Sequence, residues 1–240
     1  MFAIETKNLT KKFKERIAVN EIDLKINQGE LFALLGTNGA GKTTTIKMLS
    51  TLILPTDGEI KINGLDIIKD RQKIKEILNV SPHETAIAPN LSVKENLEFM
   101  AGVYQISNKQ EKINELIKMF KLDEVLNQKA KTLSGGWQRK VSIAISLINE
   151  PKILFLDEPT LGLDVIARKE LWTVIEKLKG KITIILTTHY MEEAESLSDR
   201  IGIMAKGKLI DIGTSKELIE KTGAKNFEDS FVKIATGGDL

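Results

Sequence analysis

Gly36-Thr37-Asn38-Gly39-Ala40-Gly41-Lys42-Thr43 decides how the rest of this 240-residue chain is read, because it fits the pattern G-x-x-x-x-G-K-[ST]. The residues before it, Leu31-Phe32-Ala33-Leu34-Leu35, form the continuous apolar run of a buried parallel strand, and residues 43–52 read as a helix. The glycines therefore stand where strand turns into helix. A glycine-rich turn there lets backbone N–H groups close around phosphate oxygens, and the helix N-terminus adds partial positive charge. A cation at that end is repelled by the macrodipole, so Lys42 is well placed only beside an anion. The spacing predicts a nucleotide-phosphate cradle from Gly36, Thr37, Asn38, Gly39, Ala40, Gly41, Lys42 and Thr43, with the adjoining Thr44, and a hydroxyl ligand for Mg²⁺ in Thr43.

Composition bounds the rest. Hydrophobic residues make up 42% and charged residues 28%, an ordinary globular balance, and the length suits an α/β core carrying an inserted lobe. Lys and Arg number 35 against 33 acidic residues, for a net charge of +2, and no basic block reaches the length of a nucleic-acid arm. A nucleic-acid partner is therefore not expected. With no cysteine and two histidines, a disulfide framework is excluded and structural zinc has no ligand set. Met1-Phe2-Ala3-Ile4-Glu5 lacks the apolar stretch of a secretion signal, and nowhere do about 18 apolar residues run together, so any membrane span is expected from another chain.

Outward from the glycine-rich turn, residues 2–8 and the strictly alternating Ile22-Asp23-Leu24-Lys25-Ile26 read as antiparallel edge strands, and Glu59-Ile60-Lys61-Ile62-Asn63-Gly64 as a third. Residues 77–81 read as a core strand that stops at Pro82. Ser92-Val93-Lys94-Glu95 is a capping box opening a helix to about residue 104; residues 110–121 and 135–148 follow as helices. The sheet resumes in residues 153–156, 182–186 and 201–204, separated by helices near 165–179 and 191–198, an alternation that makes it parallel. Lys206-Gly207-Lys208 turns a hairpin into residues 209–212, and Thr214-Ser215-Lys216-Glu217 caps a last helix. The expected organisation is a core of residues 1–82 and 151–213, an α-helical lobe of residues 83–150, and a helical tail of residues 214–240.

Two further stretches carry chemistry. Ile153-Leu154-Phe155-Leu156-Asp157-Glu158 sets two carboxylates at the carboxyl end of an apolar strand, the edge where open α/β sheets bind ligands. Asp157 is expected to hold Mg²⁺, and Glu158 to orient the attacking water and take its proton. Leu133-Ser134-Gly135-Gly136-Trp137-Gln138 opens a helix with Ser134 as its N-cap. A Ser and two Gly at a helix start make a second anion site. One nucleotide does not need two such loops from one chain, so the second is expected to serve a partner's nucleotide.

Phosphate loop, Leu-Ser-Gly-Gly stretch and Asp-Glu pair in this order resemble the ATPase subunit of ABC transporters, over nearly the whole chain. The resemblance implies an α/β fold: a P-loop NTPase core with a mostly parallel sheet, an antiparallel β edge region and an inserted α-helical lobe. It implies ATP and Mg²⁺, a head-to-tail pair of ATPase subunits, and a separate transmembrane permease, with the chain peripheral on the cytoplasmic face. Each ATP would lie between Lys42 of one subunit and Ser134, Gly135 and Gly136 of the other. Glu158-Pro159-Thr160-Leu161-Gly162-Leu163-Asp164 looks like the family's D-loop, where Asp164 helps join the subunits, and Thr187-Thr188-His189-Tyr190 looks like its switch, where His189 contacts the γ-phosphate. Phe13 matches the ring that stacks on adenine, although a Phe near a strand end is equally at home as plain core. A metal cluster of His189 with Glu192 and Glu193 is disfavoured, since Mg²⁺ takes oxygen ligands. The stretches around Ser134 and His189 look most like export subunits of the drug, sodium or polysaccharide type. A soluble relative working on nucleic acid or ribosomes is the alternative; such relatives carry two cassettes or a long coiled coil, and this chain has neither.

The chain departs from the family twice. Where the family usually has a glutamine that meets Mg²⁺ or the attacking water, this chain has His83, in Val80-Ser81-Pro82-His83-Glu84. Imidazole is a poor Mg²⁺ ligand, so His83 is expected to weaken metal coordination and to make turnover pH-sensitive near the ordinary histidine value of ~6.5. Trp137 also replaces a common glutamine, and Gln138 is no substitute because one residue turns a helix face by about 100°.

Overall fold

The computed structural model describes residues 1–237, and the expected tail is therefore described to residue 237 only. The chain opens as a long hairpin of β1 (Phe2–Phe13) and β2 (Arg16–Asn27), crosses in β3 (Leu31–Gly36) and enters α1 (Lys42–Leu49). β4 (Asp57–Ile62) and the two-residue β5 (Leu65–Asp66) complete an antiparallel sheet of order β2-β1-β4-β5. The sequence reading of the first strand stops at residue 8 because alternation breaks there. Asn8 adopts φ 50 and the pairing with β2 shifts register between Thr6 and Leu9, and the strand then resumes. α1 ends at Leu49, three residues short of the expected 52, where Thr51 takes φ 64.

α2 (Arg71–Ile77) has no counterpart in the sequence reading: seven residues burying only Ile74 give too little amphipathic signal. It claims Ile77, so β6 spans Leu78–Ser81, and it pairs with one neighbour only. Among the described residues no strand follows until Ile153. In between come α3 (Val93–Val103), opened by the Ser92–Glu95 capping box as expected, α4 (Lys109–Phe120), two 3₁₀ turns and α5 (Gly135–Ser146). Then β7 (Ile153–Asp157), α6 (Val165–Leu178), β8 (Thr183–Thr188), α7 (Met191–Leu197), β9 (Arg200–Ala205) and β10 (Lys208–Gly213) finish a six-stranded sheet of order β10-β9-β3-β8-β7-β6, parallel except for β10. Two helices close the chain instead of the single one read from the Thr214 box: α8 (Ser215–Thr222) and α9 (Phe227–Thr236).

Both faces of the parallel sheet are covered, which is why the centres of its strands are apolar. Phe32, Leu34, Phe155 and Ile185 point to the face shared with α1 and the antiparallel sheet. Leu154, Leu156, Ile184 and Leu186 point to the face packed by α3, α4, α5 and α6, so the helices between β6 and β7 share a continuous core with the sheet. Ala33, Leu35, Ile201 and Ile203 meet α8 and α9. Parallel register aligns the strand ends: Asp157 lies beside Thr187, and Leu35 beside Thr188, so the loops after β3, β6, β7 and β8 converge on one edge.

Candidate functional site

At that edge the turn between β3 and α1 is fixed by sterics. Gly41 has φ 107, and a Cβ there would lie 2.6 Å from the Ala18 carbonyl oxygen; a Cβ on Gly36 would lie 2.4 Å from that of Met204. Gly41 is also the N-cap, so no side chain caps α1 and no acid sits in its first turn. Its N–H groups are left for an anion. Lys42, 4% exposed, donates from Nζ to the carbonyls of Gly36 (2.7 Å) and Thr37 (3.3 Å) and stands 3.5 Å from Glu158 Oε1. Burial pushes its pKa down, against the pull of Glu158 and Asp157. A hollow of about 370 Å³ opens here, lined by residues 38–44, Ala18, Arg16, Glu158 and Phe13. Phe13 is 49% exposed near the tip of the β1–β2 hairpin, with Lys11 Nζ 5.2 Å from its ring centroid, so it is a rim ring and not core.

A second hollow of about 580 Å³ adjoins it, lined by Asn38, Thr43, Asp157, Glu158, His189 and His83 among others. Asp157 Oδ1 accepts from Thr43 Oγ1 (3.2 Å) and Thr187 Oγ1 (2.5 Å). Glu158 takes φ 48; its N–H donates to the Thr187 carbonyl (3.1 Å) and Oγ1 (3.0 Å), which turns its side chain back toward Lys42. Glu158 Oε2 lies 3.0 Å from His189 Nδ1, so one carboxylate spans lysine and imidazole. The oxygens of Thr43 and Asp157 suit Mg²⁺, which takes few protein ligands and fills its octahedron with water and phosphate. Among the described residues no cluster of three or more His, Cys, Asp or Glu side chains forms a protein-only cage. His83 is exposed on the rim of this hollow, and among the described residues its imidazole makes no hydrogen bond. Its nitrogen chemistry fits the oxygen set poorly.

Ser134, Gly135, Gly136 and Asp164 line neither hollow. Ser134 holds the N-cap position of α5, as read from the sequence, with φ −62 and ψ 158, but its hydroxyl makes no capping bond. The residue is exposed, and a Cβ on Gly135 would meet open space. Asp164 caps α6, accepting from the N–H groups of Ile166 and Ala167, both at 2.9 Å. Trp137 is half-buried beneath Lys140, whose Nζ lies 4.3 Å from its ring centroid and 2.6 Å from Glu170 Oε2.

Three residues have parts in the structure that the sequence reading does not give: Thr187 and Arg139, which carry no role there, and Glu193, which enters only as a disfavoured metal ligand. Thr187 was quoted without a role, although a threonine in a strand buried on both faces signals a polar partner. Arg139 and Glu193 are charges buried in α5 and α7, a property that only packing reveals. Glu193 accepts from Thr160 Oγ1 (2.8 Å) and Trp172 Nε1 (3.0 Å), and burial pushes its carboxyl above the usual range.

The sequence profile of the ABC transporter family matches residues 19–161. The chain is 42% identical to the human phospholipid-transporting ATPase ABCA3 over 227 residues, 92% of this chain but 13% of that protein. It is 35% identical to the linearmycin resistance ATP-binding protein LnrL of Bacillus subtilis over 238 residues, covering 98% of this chain and 75% of the relative. Its fold superposes on a dimeric ATP-binding cassette, MJ0796, in a post-hydrolysis state with ADP and Pi, at a TM-score of 0.79 and 28% identity, over 88% of this chain and 98% of that one. Among the described residues no helix is long and apolar enough to cross a membrane.

Proposed function

Because this chain belongs to the ABC transporter family, as an ATPase domain of it, we propose that it hydrolyses ATP in a head-to-tail pair and drives a separate membrane-spanning partner, in the export direction, from the cytoplasmic face. One observation carries the reading: the phosphate turn and the carboxylate edge adjoin, while Ser134 to Gly136 present free groups away from both hollows. A second subunit supplies what one chain lacks. The dimer seen with ADP and Pi in the MJ0796 cassette supports that arrangement.

In this reading adenine stacks on Phe13, and the first-turn N–H groups of α1 with Gly36 to Thr44 receive the phosphates. Lys42 exchanges its carbonyl partners for phosphate oxygens, which suits a buried ammonium short of full compensation. Thr43 and Asp157 would hold Mg²⁺, which supplies positive charge to the phosphate oxygens. Glu158 orients a water in line with the γ-phosphate and takes its proton; His189, already 3.0 Å from that carboxylate, steadies the phosphate. His83 lines the same cavity as Asp157 and Glu158, and Asp164 helps seat the partner subunit. Residues 83–150 act as the lobe that presents Ser134 to the partner's nucleotide.

Glu158→Gln tests the role assignment, since the amide keeps the shape of the side chain and one acceptor oxygen but cannot take a proton. Steady-state hydrolysis should fall by on the order of 10²-fold or more, with ATP binding retained. Near-normal turnover would refute the base assignment.

A further inference from the structure

Arg139 is charged, 5% exposed, and among the described residues pairs with no carboxylate. Such a group is costly to bury unless its donors are fully used. Its two terminal nitrogens instead donate to consecutive backbone carbonyls, NH1 to Pro82 (2.7 Å) and NH2 to His83 (2.6 Å). The segment it grips runs out of β6 into irregular chain that lines the larger hollow. Among the described residues, no other hydrogen bond reaches the backbone of residues 83–87; the next anchor is Ala88, held by Asn96. Arg139 sits three residues beyond Gly136 on α5, whose N-cap is Ser134 with an unbonded hydroxyl. The rest of α5 is fixed from the other side by Lys140 on Glu170 of α6.

We infer that Arg139 is a positioning residue: its planar fork fixes the Pro82–His83 backbone, sets the His83 side chain against the Asp157–Glu158 cavity, and ties that segment to the helix that begins at Ser134. The role follows from geometry rather than charge. A guanidinium spans two successive carbonyls at once, whereas an ammonium on a flexible stem has no such fork. The inference rests on the ATPase reading for its consequence in turnover, but its structural content does not.

The chain has no cysteine, so a single cysteine in place of Glu84 takes one nitroxide spin label beside His83. The label should be ordered in the otherwise wild-type chain and become mobile in Arg139→Lys and Arg139→Gln, while a label at the distant exposed Lys69 keeps its spectrum. In unlabelled protein Arg139→Lys should lower kcat on the order of 10-fold with KM for ATP little changed. Unchanged mobility at position 84 would overturn the inference, as would full restoration of kcat by lysine, which would make Arg139 a source of charge alone. A wild-type chain without ATPase activity would sink the functional reading, and the label spectra would still decide the positioning role.

Discussion

At the scale of single residues, the site combines buried polar groups, Lys42, Asp157 and Thr187, whose costs are offset by specific partners, with the more open Thr43, Glu158 and His189. Asp157 and Glu158 are consecutive, yet the φ of 48 at Glu158 sends one carboxylate toward Thr43 and Thr187 and the other toward Lys42 and His189. Glu193 gives the clearest pH signature. Fully buried in the folded chain, the Glu193 carboxyl holds its proton more tightly than in the unfolded chain, so its contribution to stability is complete below the ordinary value of 4.5 and is lost as pH rises through the folded-state value. Glu193→Gln keeps an oxygen to accept from Thr160 and Trp172 and has no proton to lose. Its melting temperature relative to wild type should rise as pH goes from about 5 to 8. A constant difference across that range would mean the carboxyl is not perturbed. The pairing of Asp157 with Glu158 was legible in the sequence; Glu193 and Arg139 were not, because burial of a charge is a property of packing.

At the scale of elements, two serines at helix starts play different parts despite similar backbone angles. Ser92 closes a capping box on α3, accepting from the Glu95 N–H at 3.2 Å. Ser134 closes nothing on α5. Urea unfolding should therefore show Ser92→Ala less stable by about 1 kcal/mol and Ser134→Ala within a few tenths of wild type. Hydrolysis should respond in the opposite sense, lost in Ser134→Ala and retained in Ser92→Ala. Equal stability losses would return Ser134 to the role of an ordinary cap. The capping boxes at Ser92 and Thr214 were readable because each is contiguous in sequence. The short α2, with one buried residue, and α9, beyond a Gly-Ala-Lys break, were not.

At the scale of the whole molecule, the described chain contains a glycine-rich turn and a carboxylate edge but no surface that covers them. Val165 and Ile166, at the start of α6, are 64% and 75% exposed next to Asp164, beside the segment expected to meet a second subunit. Light scattering should show the Glu158→Gln variant doubling in mass with Mg-ATP and returning to monomer with Mg-ADP, because hydrolysis no longer dissolves the pair. A variant that stays monomeric with saturating ATP would contradict the head-to-tail assembly.

The sequence alone determined the chemistry that is local: the phosphate turn, the Asp-Glu pair at a strand end, the serine-glycine helix start and the alternation of strands and helices. These are contiguous signals, each set by φ preference, period or spacing within some ten residues. Tertiary structure decided which of them meet. Parallel register in β3, β7 and β8 brings Lys42, Asp157, Glu158 and His189 to one edge, and β6 beside β7 delivers His83 there. The same packing holds Ser134 away, uses Asp164 as a cap, and buries Arg139 against two carbonyls. Such meetings depend on contacts between residues far apart in the chain, for which a linear pattern carries no signal.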